Sequence, residues 1–310
     1  MNGRRNKALI LNPNNITPYF KETLILNPTN FNPIMRICLI YAMRAEAQPL
    51  IDSLGLKEQE GFFNPLPCKY LSPALSKREG EVQCCEPLLG RGWGGVILNG
   101  VSHDRDLIGC EAAAVTTQAA IMKLQPDLVI SVGTCGGWQR YGARVGQTYI
   151  ANGVMFHDRR VPGDNEWDTQ GLGNYPVWEG SWRVAEALGL PMGKVTTGSS
   201  FDLSPEEDAL IDANGGRLKE MEGAAVAFVC SLYKVPVMLV KAVTNLRDVT
   251  SPQPPPTPPK GENSLSFFAS KANKLERGEV DNQMDDFHEN LKRASLSLRE
   301  TLVKIIEKLS

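Results

Sequence analysis

Four short stretches of the chain hold residue types that can act on a small polar ligand. The first is Met43-Arg-Ala-Glu46, where a carboxylate follows an apolar run within three residues. A glutamate at a strand end is placed to deprotonate water. The same position also suits a solvated first-turn glutamate favoured by a helix dipole. The second is Gly133-Thr-Cys-Gly-Gly137. Its glycines allow a backbone to approach a ligand closely, and the absence of a following Gly-Lys-Ser/Thr excludes a Walker A loop. The third is Lys219-Glu-Met-Glu222 ahead of Gly-Ala-Ala. A carboxylate there gains from the helix dipole, and it can also accept charge-assisted hydrogen bonds from sugar hydroxyls. The fourth is Thr244-Asn245, at the end of another apolar run.

The elements that must carry these residues follow from hydrophobic period and punctuation. Ile37–Met43, Leu128–Val132 and Val235–Val243 are continuous apolar runs, as expected of strands buried on both faces of a largely parallel sheet. Further strands are expected at 147–156 and 195–197. Ala47, Leu50, Ile51 and Leu54 share one helical face that stops at Gly55, and helices are also expected over 111–124, 182–188 and 223–233. Ser204-Pro-Glu-Glu207 is a capping box with proline at the first helical position. Residues 57–95 fit irregular strands, and 160–180 reads as a surface loop. Strands alternating with helices predict an α/β fold. Its ligand belongs at the carboxyl ends of the strands, where the four stretches converge.

Residues 1–34 carry Arg4, Arg5, Lys7 and Lys21 against one acid and are broken by prolines. They read as a disordered extension with a weak likeness to a transit peptide. The domain is expected over 35–310. Within it, 251–263 form a Pro-rich linker and 281–310 a last helix whose stripe Phe287, Leu291, Ala294, Leu298, Leu302, Ile305 and Leu309 packs on the body.

The 310 residues include 42% hydrophobic and 22% charged residues, with a net charge of −2. No basic excess exists to neutralise phosphates, so no nucleic-acid partner is expected. No apolar run is long enough for a membrane span, so no membrane partner is expected either. Seven cysteines without a C-x-x-C pair, and three scattered histidines, predict reduced thiols, no metal site and a cytoplasmic setting.

Six ordered blocks carry a resemblance: Ala42-Met-Arg-Ala-Glu46, Val132-Gly-Thr-Cys-Gly-Gly-Trp138, Phe156-His-Asp-Arg-Arg160, Thr197-Gly-Ser-Ser-Phe-Asp-Leu203, Met221-Glu-Gly-Ala-Ala-Val226 and Lys241-Ala-Val-Thr-Asn245. In order and spacing, from about residue 36 to 250, they resemble the plant-type 5′-methylthioadenosine/S-adenosylhomocysteine nucleosidases of the purine nucleoside phosphorylase superfamily.

The resemblance implies a single-domain, three-layer α/β/α fold with a central mixed sheet, a homodimer, and no cofactor or metal. It implies hydrolysis of the N-glycosidic bond of a purine nucleoside. Glu46 then matches the activator of the attacking water. Met221 and Glu222 match the ribose-holding pair, and Thr134, Cys135 and Gly136 the loop beside ribose and water. Phe201 matches a residue packing on the purine face, and the backbone of Asp202 one that reads the purine edge.

The chain departs from the family at two positions. Ser199 and Asn245 stand where the family has aspartates, the second of which delivers a proton to purine N7. An amide has no titratable proton to give, yet it can donate a hydrogen bond to the departing base. Asp248 matches a second acid of the family. Asn at the base position resembles the trimeric phosphorylases that use 6-oxopurines. Two alternatives therefore stand beside the main reading: a 6-oxopurine nucleosidase or phosphate-dependent phosphorylase, with Arg44 and Arg91 as the arginines to consider, and a catalytically weak nucleoside-binding or storage homologue.

Overall fold

A computed structural model describes residues 35–72, 95–102, 105–161, 165–247 and 282–309. All of them belong to one unit, Pro33–Ser310. The expected N-terminal extension and Pro-rich linker lie outside the described residues, as do Arg91 and Asp248.

The first strand shows how the apolar runs are used. In β1 (Ile37–Tyr41) all five side chains are buried. Cys38 and Ile40 join a core on one side of the sheet, and Ile37, Leu39 and Tyr41 join a second core on the other. Such two-sided burial produces an unbroken hydrophobic run instead of an alternating one. The other strands are β2 (Lys57–Glu58), β3 (Lys69–Ser72), β4 (Gly95–Leu98), β5 (Val101–Ser102), β6 (Arg105–Asp106), β7 (Leu128–Gly137), β8 (Thr148–Phe156), β9 (Met192–Thr197), β10 (Gly216–Glu220) and β11 (Val237–Leu246).

Nine of these strands form one mixed sheet, in the order β10-β9-β8-β11-β7-β1-β4-β3-β2. β1, β4, β7 and β11 run parallel, while β8 is antiparallel to β11. β10 lies parallel to β9 and also pairs antiparallel with the end of β7, through Leu218↔Gly137 and Lys219↔Gly136.

The helices are α1 (Arg44–Leu54), α2 (Cys110–Leu124), α3 (Asn165–Leu172), α4 (Gly180–Leu188), α5 (Pro205–Ala213), α6 (Gly223–Tyr233) and α7 (Asn282–Leu309). One core packs the sheet against α2 and α6; the other packs it against α1, α4 and α7. This is the expected three-layer α/β/α arrangement. The α7 stripe is buried at Ala294, Leu298, Leu302, Ile305 and Leu309. Among the described residues no helix is long and apolar enough to cross a membrane.

Three expectations are corrected. β7 does not end at Val132 but continues through the glycines to Gly137, because β11 pairs with it along its whole length and β10 pairs with its last residues. Gly216–Glu220, of which the sequence singled out only Lys219 and Glu220 ahead of a helix, is a strand held by β9 and β7. The 160–180 loop contains the short helix α3, whose turn-forming composition hides it from periodicity.

Candidate active site

Glu46 lies in the first turn of α1, yet it is only 3% exposed. Its Oε1 accepts hydrogen bonds from the backbone N–H and the Oγ1 of Thr134, each at 2.7 Å, and its Oε2 accepts one from Met43 N at 3.3 Å. The solvated first-turn reading is therefore wrong for this residue. Gly133 makes the approach feasible, since a Cβ there would stand 3.3 Å from both carboxylate oxygens. Burial raises the Glu46 pKa, and the two Thr134 hydrogen bonds and the Lys241 charge pull against it.

Glu222 stands directly ahead of α6, and its side chain makes no capping hydrogen bond to that helix. Its Oε1 accepts from Gly109 N at 2.8 Å. Gly109, the residue ahead of α2, turns with φ 110°, a conformation that only glycine adopts without strain. Burial first, and then the neighbouring Glu220 charge, pushes the Glu222 pKa up to about 7. Glu46 adds to that rise and Lys241 opposes it, so the two predicted carboxylates share one electrostatic environment.

Beneath both carboxylates stands a pair that sequence reasoning missed. Glu220 and Lys241 meet at 2.9 Å, with side chains 1% and 2% exposed. Glu220 also accepts from Glu222 N at 3.1 Å, from Gly223 N at 2.7 Å and from Thr197 Oγ1, so it fastens the start of α6. Lys241 donates as well to Ser131 Oγ at 3.3 Å. Burial would raise the Glu220 pKa, but Lys241 and these hydrogen bonds hold it below the usual carboxylate value. The signal in the sequence was a lone lysine inside the apolar run Val237–Val243, because a fully buried lysine needs a partner.

The residues that the resemblance matched to the ribose lie at the end of β7 and just after β10. Cys135 is buried and its carbonyl accepts from Thr244 Oγ1 at 3.3 Å, while Met221 O accepts from Cys110 Sγ at 3.3 Å. Gly136 pairs with Asn245 across β7 and β11, at a register shift between Val243 and Asn245. Asn245 Oδ1 lies 3.1 Å from the same Thr244 Oγ1, so it and Cys135 O share that hydroxyl's single proton.

The segment Ser199–Phe201, which the resemblance matched to the base side, is held by cations and an acid. Lys219 Nζ donates to Ser200 O at 2.5 Å and to Phe201 O at 3.3 Å, and Arg247 Nη2 donates to Phe201 O at 3.0 Å. Asp158 Oδ2 accepts from Ser199 N at 2.5 Å. Burial, and then the Arg247 charge, lowers the Lys219 pKa to about 8. The His157 ring occupies the place a Cβ on Gly198 would take. Burial and Lys219 together lower the His157 pKa to about 4, so it is neutral at neutral pH. The Phe201 ring is 64% exposed and meets Phe287 of α7 edge-on at 6.3 Å. In this structure it forms part of the outer rim, with Asp202 exposed beside it.

The chain is similar to known proteins over most of its length. The model of the phosphorylase superfamily matches residues 36–307. The chain is 35% identical over 234 residues to a 5′-methylthioadenosine nucleosidase of Arabidopsis thaliana, covering 71% of this chain and 78% of the relative. It is 31% identical over 277 residues to a 5′-methylthioadenosine/S-adenosylhomocysteine nucleosidase of the same plant, covering 89% and 92%. The solved apo structure of Arabidopsis thaliana 5′-methylthioadenosine nucleosidase matches with a TM-score of 0.71 at 29% identity, covering 90% of this chain and 97% of that one.

Proposed function

The chain belongs to the phosphorylase superfamily, among its 5′-methylthioadenosine/S-adenosylhomocysteine nucleosidases, and from that premise we propose that it hydrolyses the N-glycosidic bond of a purine nucleoside. The observation that carries the reading is Glu46: a buried carboxylate without an ion-pair partner among the described residues, aimed by two donors from Thr134. A carboxylate so held takes a proton from water without having to reorganise. The water oxygen bonds to C1′ as the bond to the purine breaks. Ionised Glu222 accepts from the ribose hydroxyls and steadies the cationic sugar. Asn245 donates to the departing base.

The direct test is base release from 5′-methylthioadenosine in phosphate-free buffer. Glu46→Gln is expected to lower kcat by about 10²–10⁴-fold while the variant still binds the free base. Strict dependence on phosphate, or full activity in the variant, overturns the reading.

We also propose a homodimer built on the outer faces of α2 and α6. Ile108, Val115, Met122, Phe228, Leu232 and Tyr233 are all exposed there, with Met122 and Leu232 at 64%. Apolar exposure of this kind marks an interaction surface. Ile108 directly precedes Gly109, which holds Glu222, so the interface would touch the ribose side of the site. The five described cysteines are all free thiols, which supports a cytoplasmic setting for the enzyme.

A further inference from the structure

Lys219 is only 2% exposed, yet it takes no part in the chemistry assigned to Glu46, Glu222 and Asn245. It lies in β10 between Leu218 and Glu220, opposite Thr196 of β9 and Gly136 of β7. Strand alternation sends the side chains of Leu218 and Glu220 to one face and that of Lys219 to the other. Lys219 therefore has no share in the Glu220–Lys241 pair. Its ammonium instead reaches the segment that follows β9 and donates to two successive carbonyls, Ser200 O at 2.5 Å and Phe201 O at 3.3 Å.

Other elements hold the same segment. Arg247, just beyond β11, donates through Nη2 to Phe201 O at 3.0 Å, so two cations meet on one carbonyl. Asp158, just beyond β8, accepts from Ser199 N at 2.5 Å. Gly198 N donates to Glu220 O at 3.1 Å, and the His157 ring fills the space beside Gly198. Residues 198–201 belong to no helix or strand. A stretch without a ladder of its own keeps one course only if its polar backbone groups find partners elsewhere. Burying an ammonium is costly, and setting it beside a guanidinium adds repulsion. An apolar side chain would fill the space at lower cost, so the use of a lysine here lies in its donors.

We propose that Lys219 is a positioning residue for the purine: it clamps Ser200 and Phe201 before the base arrives, so that one wall of the base site is preformed. The inference rests on the nucleosidase reading, in which the resemblance puts Phe201 on the purine face and the Asp202 backbone at the purine edge. Lys219 itself touches no substrate. A preformed wall spares the cost of ordering the segment on binding. It serves the ground state and the transition state alike, so its loss raises KM and leaves kcat nearly unchanged.

The charge adds a pH signature. Burial and then Arg247 lower the Lys219 pKa to about 8, and Glu220, Glu207 and Asp202 oppose that shift. His157, which feels the Lys219 charge, has a pKa of about 4 and stays neutral throughout the range where Lys219 titrates. As Lys219 loses its proton, its bonds to the two carbonyls weaken from charged to neutral ones. An arginine at this position would stay charged.

The test is the pH dependence of KM and kcat for 5′-methylthioadenosine from about pH 7.5 to about 9.5, with calorimetric binding of free adenine beside it. In the unmodified protein KM should rise about three- to tenfold across that range. Lys219→Arg should abolish the rise. Lys219→Met should raise KM about tenfold to a hundredfold at the lower pH and weaken adenine binding by a similar factor, with kcat kept within about twofold. If Lys219→Met does not fold, Lys219→Arg decides. If the unmodified protein leaves the nucleoside intact, the hydrolytic reading falls, and adenine binding over the same pH range decides the clamp; absence of that binding as well overturns both. A KM that is flat with pH in the unmodified protein, a rise that persists in Lys219→Arg, or a folded Lys219→Met that loses kcat instead of affinity overturns the role of Lys219.

Discussion

Replacing Lys241 by methionine keeps the length of the side chain and removes the cation that Glu220 pairs with. The two charges stand 2.9 Å apart, with side chains 2% and 1% exposed. At an effective dielectric of about 20, attraction at that distance is on the order of 6 kcal/mol. Desolvation of the two ions offsets much of it, which is why a buried pair adds little net stability while breaking one is expensive. Lys241→Met should therefore cost about 3–5 kcal/mol of folding stability at pH 7.

The pH dependence is the sharper signature. In the unmodified protein the Glu220 pKa is depressed, so its contribution is present at neutral pH and is lost as pH falls through the folded value. Without Lys241 that pKa rises and the carboxyl accepts a proton sooner, so the gap between the two proteins should narrow from pH 7 to pH 5. Urea unfolding at three pH values measures this. The double variant Lys241→Met/Glu220→Gln should recover part of the loss, because the amide oxygen can still accept from the start of α6. Lys241 also pulls down the Glu222 and Glu46 pKa values, so the acid limb of kcat/KM should move to higher pH. A loss under about 1 kcal/mol, where surface pairs fall, or a gap that does not change with pH, would refute the reasoning.

Glu222 is expected to make kcat/KM rise with pH through about 7, since the ionised form accepts the ribose hydroxyls. Rate measurements across that range check it, and Glu222→Gln should give a lower, flat profile. The stability sign is opposite: a raised carboxyl pKa contributes most below about 4.5 and is lost as pH rises through about 7, so Glu222→Gln should unfold later than the unmodified protein at pH 8. For the dimer, Met122→Asp combined with Leu232→Asp places charges on the exposed faces of α2 and α6. Analytical ultracentrifugation should then find monomers, and an unchanged sedimentation coefficient would locate the interface elsewhere.

Periodicity and punctuation determined most of the frame from sequence alone. β1, α1, α2, α6 and α7 stand within a few residues of expectation, because buried runs, helical stripes and caps are local statements about which faces meet water. The ordered blocks likewise identified Glu46 and Glu222 as the candidate carboxylates. Their surroundings were not local. The buried Glu46 is satisfied by Thr134, 88 residues away, which supplies two donors. Glu222 is held by an amide 113 positions earlier. The extension of β7 and the existence of β10 depend on partner strands, which periodicity does not register. The Glu220–Lys241 pair and the placing of Asn245 opposite Gly136 arise from register between strands distant in the chain. Residue types can announce that a carboxylate, an amide and a guanidinium are available. Whether their polar atoms meet each other, water or nothing is decided by burial and register, and those exist only once the sheet has formed.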